Sequence, residues 1–297
     1  MSHLPFTILA YLLNSVAVTI DKFLLTKHFP DPLVYVFYFS VFSLVALFLL
    51  PFTTPPSIQT FAMASISTLL WTTGAYFMFK AVQKGQVSRV IPIIGTLTPL
   101  LLLIHAAFFG NVTQTQFLAA GILIFGLLFL TLSDLKGRPS KQELILEFFA
   151  ATLFAVSYLI LHEAYKMDYF LTVLVYSRFI LLPVGALILI IPKLRRIVLA
   201  QNGPKINFLS KTGALFLIGQ MAGGTSEILL TFSIALATPA LVNSLQGVQY
   251  GFLFLFSIIL AKIFPDVYHE KYTRLVLSQK ILGIGMIGTG LYLLAFV

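Results

Sequence analysis

Glu227 stands inside an uninterrupted apolar run of membrane length. An acid in such a run is costly to keep there and is a functional candidate by default. It belongs to the stretch Gly219–Gly251, where two long apolar segments meet at Ala237–Pro239 and Asn243, Gln246 and Gln249 follow along the second. At 1.5 Å per helical residue, Glu227 lies roughly 12 Å from the nearer end of its segment. Counting in from the same side puts Arg178, Gln246, Gln249, Asn14 and Tyr158 near that depth. One acid, one base and several amides at one level could hold a zwitterionic or polar solute by charge and hydrogen bonds. The competing reading is a buried Glu227–Arg178 pair that persists because breaking it strands a charge. Trp71, the one Trp of the chain, sits mid-segment rather than in an interfacial belt and is placed to stack on a solute. Tyr76 and Tyr250 are further stacking candidates. A carboxyl at that depth is also a candidate carrier for a coupled proton.

Other polar groups in the apolar runs invite plainer readings. Asp21 and Lys22 fall near one end of the first segment, where long side chains reach interfacial water. His162 and Glu163 fall near an end of the sixth, and His105 near an end of the fourth, as a packing residue. Pro92, Pro99 and Pro239 each free a backbone carbonyl and let a helix bend, which makes them hinge candidates. Gly251 joins them because it takes the place of Pro99 in the second half of the chain. Gly283-Ile-Gly285-Met-Ile-Gly288 has dinucleotide-fingerprint spacing but no preceding strand, and reads as close helix packing, like Gly219-x3-Gly223 and Gly247-x3-Gly251. Asn111-Val-Thr is a glycosylation sequon only in a secretory setting. No metalloprotease, nucleophile-elbow or phosphate-loop pattern occurs, so no enzyme activity, cofactor or metal is expected.

The elements that must position these groups are membrane helices. Of 297 residues 59% are hydrophobic and 10% charged, with mean hydropathy +0.97. A soluble domain could not hide so much apolar surface. Ten segments are long enough to cross: Pro5–Leu25, Pro32–Leu50, Gln59–Phe79, Ser88–Phe108, Thr115–Leu132, Leu144–Tyr165, Tyr169–Ile191, Leu209–Ala235, Pro239–Ile263 and Val276–Phe296. They are continuously apolar rather than alternating, which argues for helices over a barrel. The net charge of +9 does not point to nucleic acid. All of the 19 Lys and Arg except Lys22, Lys166 and Arg178 lie in or beside the odd-numbered loops. The positive-inside rule then makes those loops cytoplasmic and puts both termini outside. With no Cys there is neither a disulfide nor a thiolate site.

The two halves repeat. Asp31, Val36, Ser40 and Phe42 of the second segment match Asp168, Val173, Ser177 and Phe179 of the seventh at one offset. Val90 and Gly95 match Val242 and Gly247, and Gly121 and Gly126 match Gly283 and Gly288. Five segments per half make the copies inverted in the membrane, an arrangement that puts a solute site at mid-depth between them. The expected fold is all-α, with ten transmembrane helices as two inverted five-helix repeats: residues 1–135, a linker at 136–143, and residues 144–297.

On these features, with Ala81-Val-Gln-Lys-Gly-Gln-Val-Ser-Arg-Val-Ile-Pro92, Thr98-Pro99 and Gln116-x4-Gly121-x4-Gly126, the chain resembles the drug/metabolite transporter superfamily, EamA type, over essentially its whole length. The resemblance implies a ten-helix carrier of small metabolites, more often an exporter. Its cavity would be lined mainly by the first, third, fourth, sixth, eighth and ninth segments. The sequence departs from the family at Gly110-Asn111, where Gly-Glu is common, and at Gly251. Family members are usually drawn with cytoplasmic termini, against the charge count. The function expected is secondary, non-ATP export of amino acids or related zwitterions by alternating access in the cell (inner) membrane, proton coupling being open. A lipophilic-cation or drug exporter and a lipid-linked-sugar flippase are the alternatives. The partners expected are the bilayer, a small solute and at most a second copy of the chain.

Overall fold

In a computed structural model, the structure describes residues 3–27, 31–85, 87–109, 113–132, 140–199, 209–237, 239–264 and 273–296. Gly110-Asn111, with the first two residues of the sequon, residues 136–139 of the linker and the Asn202-Gly203-Pro204 breaker lie outside them. Among the described residues the fold is all-helical, without a strand.

In chain order the helices are α1 (Leu4–Lys27), α2 (Pro32–Ser43) running into a 3-10 stretch at Leu44–Phe52, α3 (Ile58–Lys84), α4 (Val87–Phe109) and α5 (Gln114–Leu132). Then follow α6 (Lys141–Met167), α7 (Phe170–Ser177), α8 (Leu181–Ile190), α9 (Pro192–Val198), α10 (Lys211–Leu236), α11 (Pro239–Ser244), α12 (Gly247–Ile263) and α13 (Arg274–Phe296). Helix starts are capped where the sequence offers an oxygen. The side chains of Ser57, Ser140 and Ser210 accept from the N–H groups of Thr60, Glu143 and Gly213 at 3.1, 3.2 and 3.0 Å. Each satisfies one of the donors a helix start leaves over.

Six stretches are long and apolar enough to cross a membrane: Leu4–Lys27, Pro32–Phe52, Lys141–Met167, Phe170–Ile190, Lys211–Leu236 and Arg274–Leu293. Shorter apolar stretches lie at Arg89–Leu102, Phe117–Gly126 and Gly247–Ile263. Ten crossings were expected from the sequence. Helix α3 falls short in hydropathy rather than length, because Thr60, Ser65, Ser67, Thr68 and Thr72 are buried along it. Its hydroxyls serve packing against α6. Ser67 Oγ donates to Ser157 O at 3.0 Å, and Ser157 Oγ returns the bond to Ser67 O at 2.9 Å.

Two segments expected to be continuous are interrupted. The second passes into 3-10 geometry after Ser43, and the seventh breaks between Ser177 and Leu181. Ser40 and Ser177 turn their hydroxyls back onto Val36 O and Leu174 O, each at 2.7 Å. Such back-bonds compete with the helix ladder. Pro183 has no N–H for the Phe179 carbonyl, which accepts from Leu182 N at 3.1 Å instead.

The polarity of the bundle is that of a membrane protein. Phe48 is 81% and Met221 71% exposed on its perimeter, while Ser15, Ser67, Ser157 and Ser233 are buried. Small residues let backbones approach where helices pack most closely, at α3 with α6, α1 with α10 and α5 with α13. A side-chain carbon at Gly126 would stand 3.0 Å from Gly283 O, and one at Gly290 3.0 Å from Ala119 O. On α13 the close contacts thus fall at Gly283 and Gly290, while nothing stands within 4 Å of a side-chain carbon at Gly285 or Gly288.

Candidate functional site: a central cavity between the helices

A cavity lies at the centre of the bundle, lined from α1, α2, α3, α4, α6, α10, α11 and α12, together with Gln246 between the last two. On α1 the lining residues are Asn14, Ala17, Val18 and Asp21. Their spacing of three, four and seven puts them on one face of the helix. On α10 they are Gly219, Gln220, Gly223, Ser226, Glu227 and Leu230, again one stripe. The two helices run antiparallel, since Ser226 Oγ donates to Ala10 O at 2.7 Å while Gly219 packs on Ile20.

Seven of the residues selected from the sequence come together here: Asn14, Trp71, Tyr158, Glu227, Asn243, Gln246 and Gln249. Some of them are partly committed. Asn243 Nδ2 donates to Pro239 O at 2.8 Å, and Gln246 Nε2 to Gln249 Oε1 at 3.2 Å. Trp71 belongs to an aromatic wall. Its ring stacks on Phe39 at 4.9 Å and meets Phe154 at 5.6 Å, and its Nε1 donates to Tyr158 Oη at 3.3 Å. Phe154 and Tyr158 are stacked in turn.

Arg178 is not among the lining residues. It is buried at the α7–α8 break. The ion pairs formed among the described residues are Arg89–Glu143 and Lys166–Glu163. The contact pair of Glu227 with Arg178 weighed from the sequence is not formed: Arg178 is buried at the α7–α8 break, outside the cavity lining. Among the described residues no Lys, Arg or His lines the cavity.

Asp21, read from the sequence as interfacial, is 6% exposed and lines the cavity. Its Oδ1 has no hydrogen-bond partner. Lys22 points elsewhere, with Nζ donating to Val82 O at 3.0 Å and Gly85 O at 2.8 Å. It thereby caps the C-terminus of α3, where a cation is favoured. The signal for Asp21 was present in the sequence, since it shares the Asn14 face seven residues on. Phe39, Phe154, Gln220 and Ser226 also line the cavity and were not singled out, having no charge to mark them.

The hinge candidates divide. Helix α4 runs unbroken through Pro92 and Pro99, both buried. In the ninth segment the interruption falls at Leu245–Gln246, between Pro239 and Gly251 rather than at either. Tyr250, away from the cavity lining, donates its hydroxyl to Pro92 O at 3.3 Å. Gln246 and Tyr250 lie against Gly95 so closely that any side chain there would overlap both.

Bonded contacts join the helices on both sides of the cavity. On the side where α1 ends, Lys22 ties α1 to α3 and the Arg89–Glu143 pair ties α4 to α6. On the side where α1 begins, Tyr11 Oη donates to Val242 O at 3.0 Å and the His162 ring lies 3.3 Å from Ile234 O.

No family model and no curated protein matches the sequence. Among solved structures 25 chains match it. One, a crystal structure of a protein sharing 13% identity, aligns over 97% of this chain and 98% of its own with a TM-score of 0.59. At that identity the likeness speaks for the fold alone: the helical arrangement extends over nearly the whole of both chains.

Proposed function

We propose that the chain is a secondary transporter of small organic solutes in the cell membrane, working by alternating access about the central cavity. The observation that carries the reading is that cavity: mid-bundle, flanked on both sides by bonded contacts between helices, walled by aromatics and holding an acid at depth. On this reading all ten apolar segments cross the bilayer as two inverted five-helix repeats. The packing supports it. Exchanging first for sixth, third for eighth and fourth for ninth segments turns the α3–α6 contact into α10–α1, and α4–α6 into α12–α1. Both members of each pair occur.

The favoured solute is an organic cation with an apolar body. Glu227 supplies the counter-charge, the wall of Phe39, Trp71, Phe154 and Tyr158 supplies cation–π surface, and no cationic side chain competes. This ranks the cation above the zwitterion, for which Arg178 would have to reach the cavity. Solute counterflow in proteoliposomes tests the proposal, with a pool of monoamines, amino acids and sugars against wild type and Glu227→Gln. The expected result is amine counterflow that Glu227→Gln loses at least tenfold while Arg178→Ala, if folded, keeps amine selectivity. Counterflow of amino acids lost in Arg178→Ala restores the zwitterion reading. No movement through folded protein removes the transport reading.

A further inference from the structure

Two acids line one cavity, and neither has a cation beside it there. Glu227 is the deeper counter-charge already invoked. Asp21 is the second: nine-tenths buried, with Oδ1 unpartnered, at the opposite end of the lining. Their separation follows from the helices. A side-chain carbon at Gly219 would stand 3.6 Å from Asp21 Oδ1, so Asp21 sits at the level of Gly219 on α10. Glu227 is eight residues further along the same helix, about 12 Å at 1.5 Å per residue. Helix side chains lean towards the N-terminus, so the Glu227 carboxylate tilts back towards Asp21 and shortens that span somewhat. Between the two levels the stripe is Gln220, Gly223 and Ser226. It carries no charge, and its glycine opens room beside α1.

Resting on the transport reading above, we infer that the cavity is built for a linear dication, an α,ω-diamine with one ammonium at Glu227 and the other at Asp21. A single cation leaves one carboxylate buried and unpaired, which is the costly state. A diamine of matching length pairs both, and its methylene chain lies along the uncharged stripe and the aromatic wall. An extended chain gains roughly 1.2 Å per bond. A span of about 12 Å, less the tilt of Glu227 and less two ammonium–carboxylate contacts of about 2.8 Å each, leaves room for roughly three to five methylenes.

The test is competition binding to the full chain in detergent and in proteoliposomes. The competitors are diamines of about two to ten methylenes and n-alkyl monoamines of equal carbon count. The expected profile peaks near roughly three to five methylenes, with the diamine at least tenfold tighter than its matched monoamine. Matching carbon count separates the charge effect from apolar burial, which raises affinity smoothly with length. Asp21→Asn should collapse the diamine-to-monoamine ratio to about one. Asp21→Glu should keep the preference and move the optimum to a shorter chain, a shift that a packing role would not produce. Should Asp21→Asn not fold, the wild-type length profile decides alone. Monoamines bound and moved with no diamine advantage at any length overturn the paired site and leave the transport reading standing. Failure of every amine to bind and move overturns both.

Discussion

Single residues set what the cavity can recognise, and Gly95 shows how little slack there is. Gln246 and Tyr250 rest directly on its α carbon, where a methyl group would overlap them. Gly95→Ala must push Gln246 away from α4, and the open side is the cavity. The expected outcome is a folded protein with solute affinity reduced about tenfold, measured by competition binding. Unchanged affinity would mean that Gln246 re-seats without entering the site. Much of this site was legible before any coordinates. Charged and amide residues in apolar runs are conspicuous, and depth counting put Asn14, Tyr158, Glu227, Gln246 and Gln249 at one level. Arg178 shared that level but not the cavity, since depth says nothing about rotation around a helix or about a break displacing it. Asp21 differs for the opposite reason: nearness to a segment end does not mean nearness to water, and its helix face is that of Asn14.

Helices are held together here by small residues and hydroxyls, so the sensitive positions are crossings. At the α1–α10 crossing a side-chain carbon on Gly219 would stand 2.9 Å from Ile20 Cγ2. Ile is branched at Cβ and held to few rotamers, so it cannot simply step aside. Gly219→Ala should cost about 1–3 kcal/mol, the usual range for overpacking, read as a lower thermal midpoint in detergent. Gly285 supplies the control. Nothing stands within 4 Å of the same carbon there. Gly285→Ala should be neutral or stabilising by up to about 1 kcal/mol through helix propensity. Equal effects of the two substitutions would remove the crossing argument. Six of the expected segments were legible as stretches long and apolar enough to cross, because lipid demands long uninterrupted runs. The breaks at Ser43 and at Ser177–Leu181 were not, since side-chain back-bonds and a missing proline donor act within apolar runs without altering hydropathy.

At the scale of the molecule, the bonded contacts on the two sides of the cavity are unlike one another, and the alternating access proposed above would require each to open in turn. One is ionic, with Lys22 on the α3 carbonyls and the Arg89–Glu143 pair; the other is made of neutral hydrogen bonds from Tyr11 and His162. The ionic layer lies on the side richer in Lys and Arg, where α9 also presents Lys193, Arg195 and Arg196 exposed. By the positive-inside rule that side is cytoplasmic. The natural absence of Cys makes this directly testable, because a single introduced thiol has no background. Thr54 is exposed between the 3-10 stretch and α3, and Lys193 is exposed at the start of α9. In the ten-segment reading five crossings separate them, so they face opposite sides. An impermeant maleimide applied to intact cells should label Thr54→Cys at once and Lys193→Cys only after permeabilisation. The reverse pattern would put both termini in the cytoplasm, as in the resembled family, with the ionic layer facing out. Labelling of both from the same side would mean an even number of crossings between them. The inverted repeat, and with it the symmetry argument for a site at mid-depth, would then fall.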